Sequence, residues 1–161
     1  MAFVKCIGYL AAVGIVSFLI GRLLPDSWIL EDCPVFRCFD WEKGGSVYNA
    51  FRIRKWQNRV PDMSKIFPKA MLEKKVTRNI RQDLPLMIRE TCIAEFIHVL
   101  LCVAGLWCMV IWPGFGGFLM AFLYTLGNLP FIMIQRYNRP RLRALAEKMA
   151  CRSRYKKGTP R

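Results

Sequence analysis

Glu95 and His98 stand three positions apart inside one apolar run, and Asn128 stands inside another. A carboxylate beside an imidazole can act as a general base. The carboxylate selects the tautomer and stabilises the charged ring, and the ring takes a proton from a hydroxyl. At about 100° per residue the two side chains lie roughly 60° apart around a helix and about 4.5 Å apart along it, so they can touch. Glu90 lies about 12 Å back from His98 by the same rise. Just beyond the third run comes a dense polar cluster, Gln135, Arg136, Tyr137, Asn138, Arg139 and Arg141. Its guanidinium groups suit phosphate or a developing oxyanion. The competing reading is a helix–helix hydrogen bond that only fastens a bundle. An ionisable group inside an apolar helix is expensive and normally faces a protein interior or cavity. The convergence of Glu90, Glu95, Asn128 and the arginines at one depth favours the chemical reading.

The elements that must position these groups are three apolar runs, at about residues 3–24, 93–112 and 117–134. Each is close to the roughly 20 residues that cross a hydrocarbon core of about 30 Å. In a chain of 161 residues too little polar sequence remains to cover three such helices in water. The chain therefore reads as one all-α integral membrane domain over 1–161, with about three transmembrane helices. The first run is expected to be retained, because it holds one early lysine and no small-x-small cleavage pattern before Arg22-Leu23-Leu24-Pro25.

Charge sets the orientation. Lys and Arg number 25 against 11 Asp and Glu, a net charge of +14. Thirteen of the basic residues fall in the loop 25–90 and ten in the tail 135–161, while the Pro113–Gly116 turn has no charge. By the positive-inside rule the loop and tail are cytoplasmic and the N-terminus is outside. Basic residues placed beside membrane segments point to lipid surfaces and away from nucleic acid. The single histidine excludes a metal site of several histidines, and seven cysteines without a C-x-x-C pair support neither zinc nor a disulfide framework.

Interfacial amphipathic helices are expected on the cytoplasmic side. After Gly44-Gly45, with Ser46 as a cap, the stretch Val47 to Arg59 interleaves Tyr48, Phe51 and Trp56 with Arg52, Arg54, Lys55 and Arg59, as in a helix lying among headgroups. Lys69 to Arg81 forms a second such stretch. Asp83 caps a helix that carries Pro85 early and runs unbroken into the second span. The short Pro-Gly turn makes the second and third spans antiparallel neighbours, so His98 and Asn128 can share a layer. Pro130 frees the carbonyl of Leu126 and opens the third helix beside that layer. The basic stretches serve either generic attraction to anionic lipid or the grip of a phosphorylated or coenzyme-linked substrate, and both readings stand.

The strings Glu90-Thr91-x-x-Ala94-Glu95-x-Ile97-His98, Asn128-Leu129-Pro130 and Gln135-Arg136-Tyr137-Asn138-Arg139-Pro140-Arg141-Leu142 resemble signature segments of bacterial glycosyl-4,4'-diaponeurosporenoate acyltransferases. Trp41-Glu42-Lys43-Gly44 and Arg54-Lys55-Trp56 are similar to upstream segments of that family, in the same order. The resemblance implies transfer of a fatty acyl group from an acyl-thioester, acyl-CoA or acyl-carrier protein, to a sugar hydroxyl of a glycosylated lipid. It places that reaction at the bacterial cell membrane, with no bound cofactor or metal. It makes Glu90, Glu95 and His98 the candidate catalytic residues. Asn128, Gln135, Arg136, Asn138, Arg139, Arg54, Lys55 and Trp56 become the candidates to hold donor or sugar. Partners would be membrane lipids, the glycolipid acceptor and the donor, compatible with an oligomer. No G-x-S-x-G elbow is present, which favours direct transfer over an acyl-serine route. The alternative is a small non-enzymatic carrier or accessory subunit that uses the intramembrane Glu/His pair.

Overall fold

A computed structural model describes residues 1–24, 33–60 and 80–158. Every regular element among them is helical: α1 (Ala2–Leu23), α2 (Ile53–Trp56), α3 (Ile80–Gly105), α4 (Cys108–Ile111) and α5 (Phe115–Gly158). Short 3-10 helices cover Pro34–Phe36, Asp40–Asn49 and Gln57–Arg59. The all-α architecture expected from the apolar runs is the one observed.

Three stretches, Ala2–Gly21, Asp83–Ile111 and Phe115–Ser153, are long and apolar enough to cross a membrane. Ile15, Val16 and Leu19 on α1, Val103 on α3 and Phe118, Phe122 and Leu126 on α5 are exposed. Such surface is stable against lipid chains and unfavourable against water. α5 is 44 residues long, about 66 Å at the α-helical rise. That is roughly twice a hydrocarbon core, so part of the helix must stand outside the bilayer. Residues 135–158, expected as a tail, prolong the third span. Neither Pro130 nor Pro140 ends the helix. α3 begins at Ile80, so Asp83 lies in its first turn, where a carboxylate opposes the positive end of the helix dipole, and not at the cap.

The segment expected to be one amphipathic helix from Val47 to Arg59 is broken instead. A 3-10 helix ends at Asn49, Arg52 takes a left-handed φ of 50°, and a single α-turn follows. Its Tyr48 and Ile53 are buried against Tyr137, with Trp56, Met133 and Ile134 packed around them. Tyr48, Ile53 and Trp56 face protein while Phe51 stays exposed, and these three draw the stretch back onto α5. Lys43, Gly44 and Gly45 are left-handed in succession, at φ 46°, 64° and 81°, and Ser46 lies inside the 3-10 segment as no cap. Residues 69–79 of the second expected amphipathic stretch lie outside the described residues.

α3 and α5 form the principal antiparallel pair. At the end of the pair near the turn, Cys6 and Leu10 of α1 pack on Cys108 and Ala121, with Tyr124 alongside. The Tyr9 hydroxyl donates to the Ala104 carbonyl at 3.0 Å. At the opposite end of α1, Arg89 Nη2 donates to the Leu24 carbonyl at 3.1 Å. These contacts fasten α1 along α3 and leave the α3–α5 seam to polar groups.

Candidate active site

The seam between α3 and α5 carries polar side chains in layers. Antiparallel helices put residues late in α5 beside residues early in α3, so Arg139 meets Thr91, Arg136 meets Glu95 and Asn128 meets His98. Each layer is a turn or two from the next, because polar residues at i, i+3 and i+4 share one helix face.

Glu95, only 2% exposed, sits at the centre. One of its oxygens accepts from Arg136 Nε at 2.7 Å and the other from Arg139 Nη2 at 2.5 Å. Arg136 Nη1 also donates to both oxygens of Glu42, at 3.1 and 3.2 Å, and its Nη2 to the Val35 carbonyl at 3.0 Å. Arg139 donates from Nε to Thr91 Oγ1 at 3.0 Å, from Nη2 to the Thr91 carbonyl at 2.9 Å and from Nη1 to the Phe36 carbonyl at 3.0 Å. Two guanidinium groups thus meet two carboxylates, and the buried charges cancel. The rings of Phe39 and Phe36 cover the guanidinium carbons of Arg136 and Arg139 at 4.7 and 5.4 Å, adding cation–π attraction.

Glu42 is 1% exposed. It accepts from the Tyr48 hydroxyl at 2.5 Å and from the Phe39 amide at 2.8 Å. Burial pushes its carboxyl up, but Tyr48, the Phe39 amide and Arg136 outweigh burial and hold it below its ordinary 4.5. Burial, and then the bond to Glu42, push the Tyr48 hydroxyl above its ordinary 10.0. The left-handed run at 43–45 makes this approach close. A Cβ on Gly45 would lie 3.3 Å from the Arg136 carbonyl, which Pro140, lacking an N–H, leaves without its helical donor.

His98 is half-buried at the apolar end of the seam. Its Nδ1 lies 2.8 Å from Asn128 Oδ1, its ring stacks on Phe131 at 4.4 Å, and Asn128 Nδ2 donates to the Tyr124 carbonyl at 2.8 Å. The shared His98/Asn128 layer expected from the short turn is present. The direct Glu95–His98 hydrogen bond is not: both Glu95 oxygens are taken by arginines, and His98 turns to Asn128. Helical spacing allowed the pair to touch, yet a charged partner across the seam competes better for a buried carboxylate than a neutral ring does.

The other candidates divide. Glu90 is half-buried on α3 and contributes no atom to the Glu95 cluster. Gln135 and Asn138 are half-buried on α5, and Arg54 and Lys55 are exposed on α2. Trp56 packs beside Tyr48 and Tyr137 and donates to the Phe51 carbonyl at 2.9 Å, a packing role. Glu42, Tyr48 and Thr91 are the site residues that sequence reasoning left out of the constellation. The signal for Glu42 was the Trp41-Glu42-Lys43-Gly44 segment, which the family resemblance picked out without giving the carboxylate a role.

Beside the cluster a cavity of about 200 Å³ opens between Phe36, Arg37 and Cys38 on one side and Arg139, Arg143 and Glu147 on the other. Burial, and then the Glu42 carboxylate, push the exposed Cys38 thiol up, so it stays protonated and makes a poor nucleophile. His98 and Asn128 do not line this cavity. Among the described residues no group of three or more His, Cys, Asp or Glu could hold a metal ion.

Comparison with known proteins agrees with the resemblance. A family model described as glycosyl-4,4'-diaponeurosporenoate acyltransferase matches residues 27–148. Proteins of that name from Staphylococcus aureus strains USA300 and MRSA252 are each 29% identical over 133 residues, covering 78% of this chain and 76% of theirs. No solved structure matches.

Proposed function

The chain belongs to the glycosyl-4,4'-diaponeurosporenoate acyltransferase family, and from that premise we propose that it moves a fatty acyl group from an acyl-thioester to a sugar hydroxyl of a glycosylated lipid, with His98 as general base. It is an acyltransferase with membrane-spanning helices. The loop, the C-terminal half of α5 and the cavity face the cytoplasm of a bacterial cell in this reading, because nearly all basic residues are there.

His98 removes the proton from the sugar hydroxyl as its oxygen attacks the thioester carbonyl. The tetrahedral intermediate collapses, the C–S bond breaks, and the imidazolium returns its proton to the departing thiolate. General-base assistance of this kind contributes roughly 10²- to 10⁴-fold. Arg136 and Arg139 spend their hydrogens on carboxylates and carbonyls. Their part is to hold the seam, and donor phosphates fall to the cavity lined by Arg37 and Arg143. Glu95 supports the base indirectly, by locking α5 against α3 one turn from His98.

The observation that carries this reading is a histidine held at the apolar end of a polar seam whose other end opens among arginines. Reconstituted protein with glycolipid acceptor and radiolabelled acyl-CoA or acyl-carrier protein tests it. His98→Ala should lose transfer at least 100-fold while inserting and unfolding like the parent. Transfer at the parent rate would remove the mechanism and favour the accessory-subunit alternative.

A further inference from the structure

Asn128 makes two hydrogen bonds, and the second decides the sense of the first. Its Nδ2 donates to the Tyr124 carbonyl at 2.8 Å, one turn back on its own helix. A carbonyl only accepts, so the amide nitrogen must be the end that faces it. Oδ1 is then the end that faces His98 Nδ1 at 2.8 Å. An amide oxygen also only accepts, so Nδ1 must carry the hydrogen. In the neutral ring the lone pair is therefore on Nε2.

We propose that Asn128 is a positioning residue that keeps a hydrogen on Nδ1 of His98 and so makes Nε2 the proton-accepting atom. The inference rests on the general-base reading and goes beyond it, by naming the reacting atom and moving Asn128 from substrate binding to control of the base. The imidazolium donates through Nδ1 as the neutral ring does, so the Asn128 bond persists through the proton-transfer cycle. Only Nε2 changes its proton count. Phe131 holds the plane of the imidazole: its ring stacks on it at 4.4 Å with 12° between planes, so the imidazole cannot tilt without losing that contact, and within that plane the Asn128 bond sets Nδ1 toward the amide. Asn128 is buried, and turning it end for end would set oxygen against oxygen at Tyr124. Among the described residues Nε2 has no hydrogen-bond partner, which leaves it for the hydroxyl of a substrate. Glu95, the nearest carboxylate on the same helix face, is engaged by both arginines and does not compete for either ring nitrogen.

His98 is the only histidine in the chain, so protein grown on ¹⁵N-histidine has one pair of ring nitrogens. Nitrogen NMR of the full chain in lipid nanodiscs, at a pH where the ring is neutral, reads the tautomer directly. The expected spectrum has the hydrogen on Nδ1. Asn128→Ala should populate the Nε2–H form and lower kcat by on the order of 10²-fold, the low end of what general-base assistance contributes, with the acyl-donor KM unchanged. A hydrogen on Nε2 in the parent protein, or an unchanged spectrum in Asn128→Ala, would overturn the proposal. Parent-rate transfer by His98→Ala would remove the catalytic use of Nε2 and leave the tautomer spectrum as it was, so failure of the base and failure of the Asn128 role are told apart.

Discussion

Glu42 and Glu95 hold the same guanidinium: Arg136 donates from Nε to Glu95 and from Nη1 to Glu42. One comes from the 3-10 helix after the first span and the other from the core of the second. The third span joins them through a side chain that is planar, always charged and able to serve two carboxylates at once. The link ties the loop to the bundle.

Arg136→Lys is therefore not conservative. An ammonium is a point charge and cannot span both carboxylates. Arg139 still faces Glu95, so the charges remain balanced, but at least one buried charge-assisted hydrogen bond is lost, a cost of roughly 1.5–3 kcal/mol. The expected outcome is a lower unfolding midpoint in detergent, together with loss of transfer. An unchanged midpoint would mean the bridge carries no stability.

Glu95 and His98 should separate in the same measurements. Glu95→Ala removes the carboxylate that Arg136 and Arg139 share, leaves a buried positive charge uncompensated and should destabilise the fold by roughly 3–5 kcal/mol, more than Arg136→Lys. His98→Ala removes one neutral hydrogen bond of about 1 kcal/mol and should cost activity far more than stability. Equal loss of stability in the two variants would contradict the division of roles drawn from their partners.

That division shows what was legible in the sequence. Run length alone located three spans, because about 20 apolar residues in succession have few other uses. The shared layer of His98 and Asn128 followed from a four-residue turn, since antiparallel neighbours pair at predictable depths. The partner of Glu95 did not follow. Spacing on one helix says which residues are near one another, while the winning partner came from another helix and was chosen by charge. Glu42 was harder still, because its place depends on a left-handed run and on Tyr48 folding inward, neither of which has a periodic signature. The aromatic–basic mixture of 47–59 reads the same whether its aromatics face lipid or Tyr137.

The pH dependence of stability should carry two marks of the Glu42–Tyr48 pair. Folded Glu42 ionises below its ordinary 4.5, so its contribution is complete above that value and is lost as pH falls through the lower, folded pKa. Folded Tyr48 ionises above its ordinary 10.0, so its contribution is complete below that value and is lost as pH rises beyond it. Unfolding midpoints across pH should show a steeper acid limb in the parent than in Glu42→Gln. They should also show a steeper alkaline limb in the parent than in Tyr48→Phe. Superimposable limbs would remove the pairing.

Gly45→Ala should disturb the cluster without touching a charge. Gly45 has φ 81°, a conformation that costs an L-residue about 1–2 kcal/mol. The added Cβ would press on the Arg136 carbonyl at 3.3 Å, backbone that cannot swing aside. The expected result is a lower unfolding midpoint. Gly44→Ala, at φ 64° with nothing within 4 Å of its Cβ, carries the conformational cost alone and should lose less. Equal losses would mean that close packing on α5 adds nothing.

Arg37 gives the sharpest test of where the acyl donor binds. Arg136 and Arg139 are neutralised by Glu42 and Glu95, whereas Arg37 is exposed at the mouth of the cavity. A donor whose phosphates enter there should lose one charge-assisted hydrogen bond in Arg37→Ala, raising its KM roughly tenfold. Because the site is exposed, the difference between parent and variant should shrink as ionic strength rises. The unfolding midpoint should not move, since Arg37 takes no part in the buried cluster. A KM effect at Arg37 with stability intact assigns the cavity to the donor. A parent-like KM with acyl-CoA and with acyl-carrier protein would take the donor away from this cavity, leaving the reaction at His98 to be supplied from the lipid side.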